Sequence, residues 1–420
     1  MAGSDAGKNS KGFTLCTTEK PICRYCGADA KHVMTFNLPV PNKYFTTREE
    51  ARAAERRPHE LASCDECGSF SLANTPFTPD ELFSGNYAFA PVSVSWRNHC
   101  VELARFVRER LPENEPNNRG VVYDIGGNDG ALAAALYRVC DRSAIVIDPS
   151  DVAPFQDGVH WPKRKGFFGE SFSRQLLRDG ERLADGVTAT NVLAHVPDPL
   201  DFMRGVKTLL APGGVAVFEF PDGDKLGSGV LFDLVYAEHI GYITLHGLEK
   251  LAERAGLHLV DAVYTDTHGG SWRAVVKHTH GGEWFHTKGA PPKFTFSEVV
   301  ALKLLRLADY VKGKKLIGFG SAAKSVVVNC CLADDSHAIP NFIIDQTPAK
   351  IGRFQPGSGA KILPMPTTYF EAMTDDEKLA HELLTTADVC INYAWNYADE
   401  VREKLTCAGF KGEIITVHDF

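Results

Sequence analysis

Apolar and polar positions fall into two blocks that follow one pattern: a short apolar run, a glycine turn, then a run rich in small apolar residues. In the first block residues 99–111 read as a helix, 112–118 as a Pro/Asn linker, and the apolar run 120–124 as a strand. That strand enters Asp124-Ile-Gly126-Gly-Asn128-Asp129-Gly130, after which 131–138 read as an alanine-rich helix. A second strand, 144–147, ends in Asp148, and a third, 187–190, runs into Asn191-Val-Leu-Ala-His195. A Pro-Gly-Gly turn at 212–214 separates a further helix from a strand that reaches Glu219. The second block has a Pro-rich joint at 290–293, a helix over 298–312, a strand over 315–319, the turn Gly320-Ser-Ala-Ala-Lys324 and another helix. Strands follow at 341–344, ending in Asp345, and at 389–392, running into Tyr393-Ala-Trp395-Asn396. Strands alternating with helices in this way predict α/β layers with ligand loops at the strand carboxyl ends.

Length and composition fit that picture. The 420 residues suggest two to three domains, and 44% hydrophobic with 23% charged residues is the balance of a globular protein with sizeable cores. With 45 Lys plus Arg against 53 Asp plus Glu, the net charge of -8 repels nucleic acid phosphates. No run of about 18 uncharged apolar residues occurs, which argues against a membrane span. Residues 1–20 carry neither an apolar signal core nor an arginine-rich transit pattern, so the expectation is a disordered tail and a cytoplasmic protein.

Eleven cysteines then need a reducing-compartment explanation. Cys23 and Cys26 form one C-x-x-C knuckle and Cys64 and Cys67 another, each followed by a glycine that permits the turn. Four thiolates leave no open coordination position, so the expected metal is a structural Zn2+. The arginines between the knuckles, Arg48, Arg52, Arg56 and Arg57, are interleaved with Glu49, Glu50 and Glu55 and read as a solvated face, not a nucleic-acid ribbon.

The glycine loop, with Gly126 and Gly130 ahead of a helix, together with the acidic Asp148 at the second strand's end, points to a nucleoside cofactor. It does not read G-x-G-x-x-G. Asp124, Asn128 and Asp129 suit a cationic, phosphate-free ligand and sit poorly beside a pyrophosphate, which favours S-adenosylmethionine (SAM) over NAD. Asn191 and His195 border the same crevice, His195 equally fitting a structural histidine. Between the blocks, Tyr236, Glu238 and His239 place a phenol, a carboxylate and an imidazole within four positions, groups able to trade protons. Tyr236 and His239 at i, i+3 would also share a helix face for packing alone.

Taken in order, the double knuckle, Ile125 to Gly130, Asn191 to His195, Tyr236-Ala-Glu238-His239, His268-Gly-Gly-Ser271-Trp-Arg273 and Gly318-Phe-Gly320-Ser-Ala-Ala-Lys324 resemble the zinc-containing C-methyltransferases of nucleotide-linked keto-deoxysugars. So do Asp345-Gln-Thr-Pro-Ala-Lys350, Pro356-Gly357 and Asn392-Tyr-Ala-Trp395-Asn396. The resemblance implies an α/β molecule with an N-terminal zinc-binding lid (21–95), a central class I methyltransferase Rossmann-like domain (96–288) and a second Rossmann-like α/β domain (289–420) enclosing the substrate. It implies SAM-dependent methylation of a nucleotide-sugar carbon, with His239 as general base, Tyr236 as proton donor or enolate stabiliser and Glu238 orienting His239. It further implies substrate contacts at Tyr87, Tyr242, His268, Ser271, Arg273, Lys324 and Asn396, with Lys324 holding a diphosphate. Phe89 and Ala90 depart from the family's more polar segment, which leaves the sugar and the carbon open. No nucleic-acid or membrane partner is expected, and a monomer suffices. Oxygen or nitrogen transfer, or a non-catalytic nucleotide-binding protein, are the alternative readings.

Overall fold

The computed structural model describes residues 21–78, 81–82, 94–113, 119–152, 161–279, 295–334, 338–367 and 372–420. The tail at 1–20, Tyr87, Phe89, Ala90 and the joint at 290–293 lie outside them.

Three sheets organise the chain. The largest has the order β10-β11-β8-β7-β4-β5-β6, built from β4 (Val121–Ile125), β5 (Ser143–Ile147), β6 (Lys163–Arg164), β7 (Ala184–Thr190), β8 (Leu210–Pro221), β10 (His258–Thr265) and β11 (Ser271–Lys277). From β8 to β6 neighbouring strands are parallel; β11 lies antiparallel to β8, and β10 antiparallel to β11. Apolar side chains leave both faces. One face packs on helices Val94–Arg108 and Ala131–Cys140, the other on Glu170–Arg178, Pro199–Leu209 and Leu245–Ala255. This doubly wound arrangement is the class I methyltransferase fold, and it places the loops after β4, β5 and β7 at one edge.

A second, all-parallel sheet has the order β14-β13-β12-β15-β16, from β12 (Leu316–Phe319), β13 (Phe342–Ile344), β14 (Lys361–Leu363), β15 (Val389–Asn392) and β16 (Glu413–Ile415). The third is antiparallel: β1 (Lys31–Leu38), β2 (Arg57–Ser63), β3 (Phe70–Leu72) and then β9 (Gly241–Tyr242). Its last strand therefore comes from the segment just after His239, far along the chain. Only glycine fits at 241, because a Cβ there would stand 2.0 Å from the Tyr25 hydroxyl.

The cysteine module is welded on two sides. Cys23, Tyr25, Cys64 and Cys67 join the core of the central sheet, whereas Met34, Phe36, Leu38, Leu61 and Leu72 share a core with residues 231–242 and the C-terminal domain. The segment 231–242 thus lies where all three parts meet. No helix among the described residues is long and apolar enough to cross a membrane.

Candidate active site

The knuckles fold as their sequence requires. Gly27 and Gly68 take φ of 83° and 74° and return their amides to the carbonyls of Cys23 (3.0 Å) and Cys64 (2.8 Å). The Sγ atoms of Cys23 and Cys67 lie 3.6 Å apart, those of Cys26 and Cys64 3.4 Å, and all four fall within 4.8 Å. Tetrahedral zinc with bonds of about 2.3 Å spaces its sulfurs by about 3.8 Å, so the donor set fits one ion with little movement. The Thr244 hydroxyl donates to the Cys67 carbonyl at 2.7 Å and accepts from Gly247 at the start of its helix. The knuckle is thereby tied to the chain leaving the site.

At the cofactor loop, Gly126, Asn128 and Gly130 adopt φ of 66°, 51° and 86°, and a Cβ at 126 would stand 2.5 Å from Val192. Asp148 anchors the loop: Oδ2 accepts from the Asn128 amide at 3.0 Å and Oδ1 from the Ser150 amide at 2.8 Å. Both oxygens are engaged by the loop itself; Oδ1 also accepts from the Ser150 hydroxyl, which leaves Oδ2 with the lone pair for a ribose hydroxyl. Asp129 accepts from the Ala131 amide at 3.0 Å, at the start of the helix. Asp124 is buried at the end of β4, where Oδ1 accepts from the Thr188 hydroxyl at 2.8 Å. Burial pushes its pKa up to about 7, with Asp148 and Asp129 adding repulsion. Among the described residues, the buried polar atoms with no hydrogen-bond partner around this loop include four acceptors, Asp124 Oδ2, Asn128 Oδ1, Thr190 Oγ1 and Asn191 Oδ1, beside the Trp161 Nε1 donor. All four can accept, and unpaired buried acceptors are costly. A ligand bearing a cation and hydroxyl or amino donors satisfies them, which is the donor set of SAM.

The segment with Tyr236 and His239 is not helical. A single 3-10 turn, Phe232–Leu234, ends before Tyr236, and the chain then folds as a turn closed by the His239 amide on the Tyr236 carbonyl at 2.9 Å. The reason is long-range. The Tyr242 hydroxyl lies on the carbonyls of Leu234 (3.1 Å) and His239 (2.8 Å), the Ile240 amide bonds Ala194 (2.8 Å), and Ile240 in turn receives Leu72 (3.0 Å). This geometry brings the Tyr236 hydroxyl 2.9 Å from His239 Nε2. His195 Nδ1 lies 2.7 Å from the Glu238 carbonyl, and its ring meets that of His239 edge-on at 4.8 Å. A carbonyl only accepts, so Nδ1 carries the proton and Nε2 keeps a lone pair. Burial lowers the His195 pKa and holds it neutral. The Glu238 carboxylate accepts from Asn42 Nδ2 at 2.7 Å, a tie to the cysteine module that the sequence did not disclose.

Three residues expected to contact substrate also have partners within the protein. Tyr242 is buried and braces the turn; Ser271 is buried and donates to the Thr267 carbonyl at 2.8 Å. Arg273 pairs with Glu219 at 2.8 Å along the β8–β11 register. Arg273 finds its acceptor on the neighbouring strand, Ser271 in the turn just before it, and Tyr242 on the turn it braces. His268 lies in the 3-10 turn Thr267–Gly269. Lys324 is half-buried with Nζ 2.9 Å from Asn396 Oδ1 and 3.9 Å from the centre of the Trp395 ring. Burial lowers its pKa to about 8.

The sequence reading also missed residues. His99 Nε2 lies 2.5 Å from Glu219 Oε1, beside the amide of Asn191, which donates to the Glu219 carbonyl at 2.8 Å. Burial raises the Glu219 pKa, but the His99 contact and the Arg273 charge more than offset it, leaving a lowered value. The available signal was a lone carboxylate inside the apolar run Val215-Ala-Val-Phe-Glu219-Phe.

Comparison with known proteins agrees with this geometry. A family described as a methyltransferase domain matches residues 96–262, and one described as the C-methyltransferase C-terminal domain matches 298–417. The C-methyltransferase NovU of Streptomyces niveus is 27% identical over 412 residues, covering 91% of this chain and 92% of the relative. Among solved structures, the SAH-bound methyltransferase CalO1 of calicheamicin biosynthesis aligns at 19% identity and TM-score 0.32, covering 43% of this chain and 54% of that one. TnmH aligns at 18% and 0.30, covering 44% and 57%. With one family matched on the SAM-type sheet and the other on the C-terminal sheet, and with the NovU likeness running through both, the chain is a SAM-dependent methyltransferase, similar to the C-methyltransferases along most of its length.

Proposed function

We propose that the enzyme methylates a ring carbon of a nucleotide-diphosphate-linked keto sugar through an enolate, with His239 as base and Tyr236 as the donor to the enolate oxygen. The observation that carries this reading is the 2.9 Å contact between the Tyr236 hydroxyl and His239 Nε2, set in a turn at the junction of all three parts. Carbon becomes nucleophilic when a proton alpha to a carbonyl is removed, and the pair holds both groups that this step needs. In the free protein the phenol rests on Nε2. With substrate bound, Nε2 takes the alpha proton while the phenol O–H turns to the enolate oxygen. SAM held at the glycine loop would supply the methyl group, as a sulfonium that becomes a neutral thioether when the methyl passes to that carbon.

Other side chains bind and orient. Asp124, freed of its proton by the cofactor's charge, pairs with that charge; Asn128, Thr190 and Asn191 take cofactor donors on their unpaired oxygens. Lys324 and Asn396, at carboxyl ends of the C-terminal strands, take the diphosphate, which restores the lysine's full charge. Tyr87 and His268 complete the substrate contacts. Zinc in the four-cysteine cluster is structural, fixing β9 and hence the turn ahead of it. Reduced thiols at that site fit a cytoplasmic enzyme, and the divisions 21–95, 96–288 and 289–420 serve as working domain limits.

The test is product analysis by intact mass and NMR after incubating zinc-loaded protein with SAM and a panel of nucleoside-diphosphate keto sugars. One added methyl on a ring carbon is the expected result. A methyl on oxygen or nitrogen, or no acceptor among carbonyl sugars, overturns it. His239→Asn should lower turnover by roughly 100- to 10,000-fold with SAM binding retained.

A further inference from the structure

We infer that Asp233 is a positioning residue through which the C-terminal domain sets the Tyr236–His239 pair, with Trp395 as its partner. The inference rests on the acid–base role proposed above. Asp233 belongs to the 3-10 turn that leads directly into Tyr236, and it is 1% exposed. A carboxylate so buried needs partners, and among the described residues those it has come from the C-terminal domain. Its Oδ2 accepts from Trp395 Nε1 at 2.8 Å, and His418 Nε2 stands 3.6 Å from the same oxygen. The charges of Lys303 and Lys324 face it as well, while Oδ1 has no hydrogen-bond partner.

Trp395 is itself held from four directions. Lys324 Nζ lies over its ring at 3.9 Å, and the His418 ring meets it edge-on at 4.7 Å. It also lies where a Cβ on Gly269 would come within 2.5 Å, so that glycine is required by the indole and not by a ligand. Asp233 is the fourth contact, and the one that reaches the turn. Beyond the turn, Tyr242 holds the carbonyls of Leu234 and His239 from the β9 side. With no helix to stiffen residues 235–240, the turn is gripped at its two ends: by Tyr242 from the cysteine module's sheet and by Asp233 from the C-terminal domain. A shift of about 1 Å in a catalytic pair costs on the order of 100-fold in rate, so a grip remote from the reacting atoms matters for turnover.

The experiment uses the full-length, zinc-loaded enzyme with Trp395→Phe, Asp233→Asn, the double variant and His239→Asn. Trp395→Phe removes the donor together with the outer ring edge that meets Gly269, so Asp233→Asn is the more selective of the two. Asp233→Asn keeps an acceptor for Trp395 and removes only the charge. Each single variant should lower kcat by roughly 10- to 100-fold with the KM for SAM within about twofold, and the double variant should be no worse than the poorer single, since the two act as a unit. Amide exchange at His239 should quicken in both, a local readout that general loss of stability would not single out. Unchanged kcat in folded Trp395→Phe and Asp233→Asn, alongside an inactive His239→Asn, overturns the inference. Full activity of His239→Asn with reduced activity of the other two sinks the base assignment while leaving the Asp233–Trp395 grip in place. Should Trp395→Phe fail to fold, Asp233→Asn decides alone.

Discussion

The central and C-terminal sheets open on the same device and finish it differently. In each, a glycine at positive φ leaves the first strand and returns its amide to the end of the second: Gly126 to Ile147 at 2.7 Å, Gly320 to Ile344 at 2.8 Å. In each, an aspartate at that second strand's end holds the loop, Asp148 on the Asn128 amide and Asp345 on the Ser321 amide at 2.7 Å. The two also cap the following residues alike, through the amides of Ser150 and Thr347. The difference lies in what fills the crevice. The central one leaves four buried acceptors unpaired. In the C-terminal one, Ser321 receives Tyr44 from the cysteine module at 2.6 Å and Lys350 at 2.9 Å on its carbonyl, and Gln355 binds Ser325 at 2.6 Å and Asn329 at 2.9 Å. Two positions before the glycine the central strand has Asp124; the other has Gly318, where a side chain would collide with Tyr393. The central crevice thus keeps buried acceptors for a ligand, whereas the Ser321 end of the C-terminal one is filled by the protein's own side chains, with Lys324 and Asn396 beyond that plug.

The largest perturbation strikes both crevices at once. Removing zinc should unfold the cysteine module, given that structural zinc supplies roughly 10–16 kcal/mol in small domains. Because the module packs on both cores, thermal unfolding of the whole chain should shift down and SAM binding should weaken together. Chelation in calorimetry checks this. A chelated protein that melts and binds SAM as before would separate the module from the comparison altogether.

The next effect should be confined to one side. Asp124→Asn removes the charge that a bound cation would meet in a buried setting, a loss of about 2 kcal/mol or more, roughly 30-fold in the SAM Kd. Asp345→Asn, in the matching loop, should leave the SAM Kd unchanged. Titration calorimetry on both variants tests the asymmetry, and equal losses would erase it.

A smaller effect is a pH dependence with a definite sign. Asp124 has a folded-state pKa of about 7, above the ordinary carboxylate value of about 3.9, so the folded apoprotein binds the extra proton. Its contribution to stability is complete below about pH 4 and is lost as pH rises through 7. A cationic ligand needs the ionised form, so SAM affinity should rise across pH 6 to 8 and then level. Asp124→Asn should abolish that slope.

Much of this contrast could be read in the chain, and the unread part has a common cause. Strand, glycine turn and helix are local patterns, and so are the cysteine pairs, which is why both blocks and the metal donors stood out. The turn at 235–240 did not, because its carbonyls are claimed by Tyr242 and its edge by Leu72, partners that only the folded sheet supplies. Arg273 looked free for the same reason: its acceptor, Glu219, is set by strand pairing. Asp233 and Glu219 did leave a mark, each a single carboxylate in an apolar run. The plug at Ser321 left none, since Tyr44 arrives from 277 positions away.

That plug gives the finest test of the comparison. Tyr44 is half-buried, and burial raises its pKa, so the hydroxyl stays protonated and donates to Ser321. Tyr44→Phe removes one donor, while Lys350 continues to satisfy the same carbonyl at 2.9 Å. The cost should therefore be near 1 kcal/mol of stability, the net worth of one hydrogen bond whose acceptor is not orphaned. SAM affinity should stay the same, because the central crevice is built without Tyr44. If chemical denaturation shows that loss while the Kd holds, the Ser321 end of the C-terminal crevice is filled for structure. If instead Tyr44→Phe alters the SAM Kd, the two crevices are coupled and the contrast between them fails.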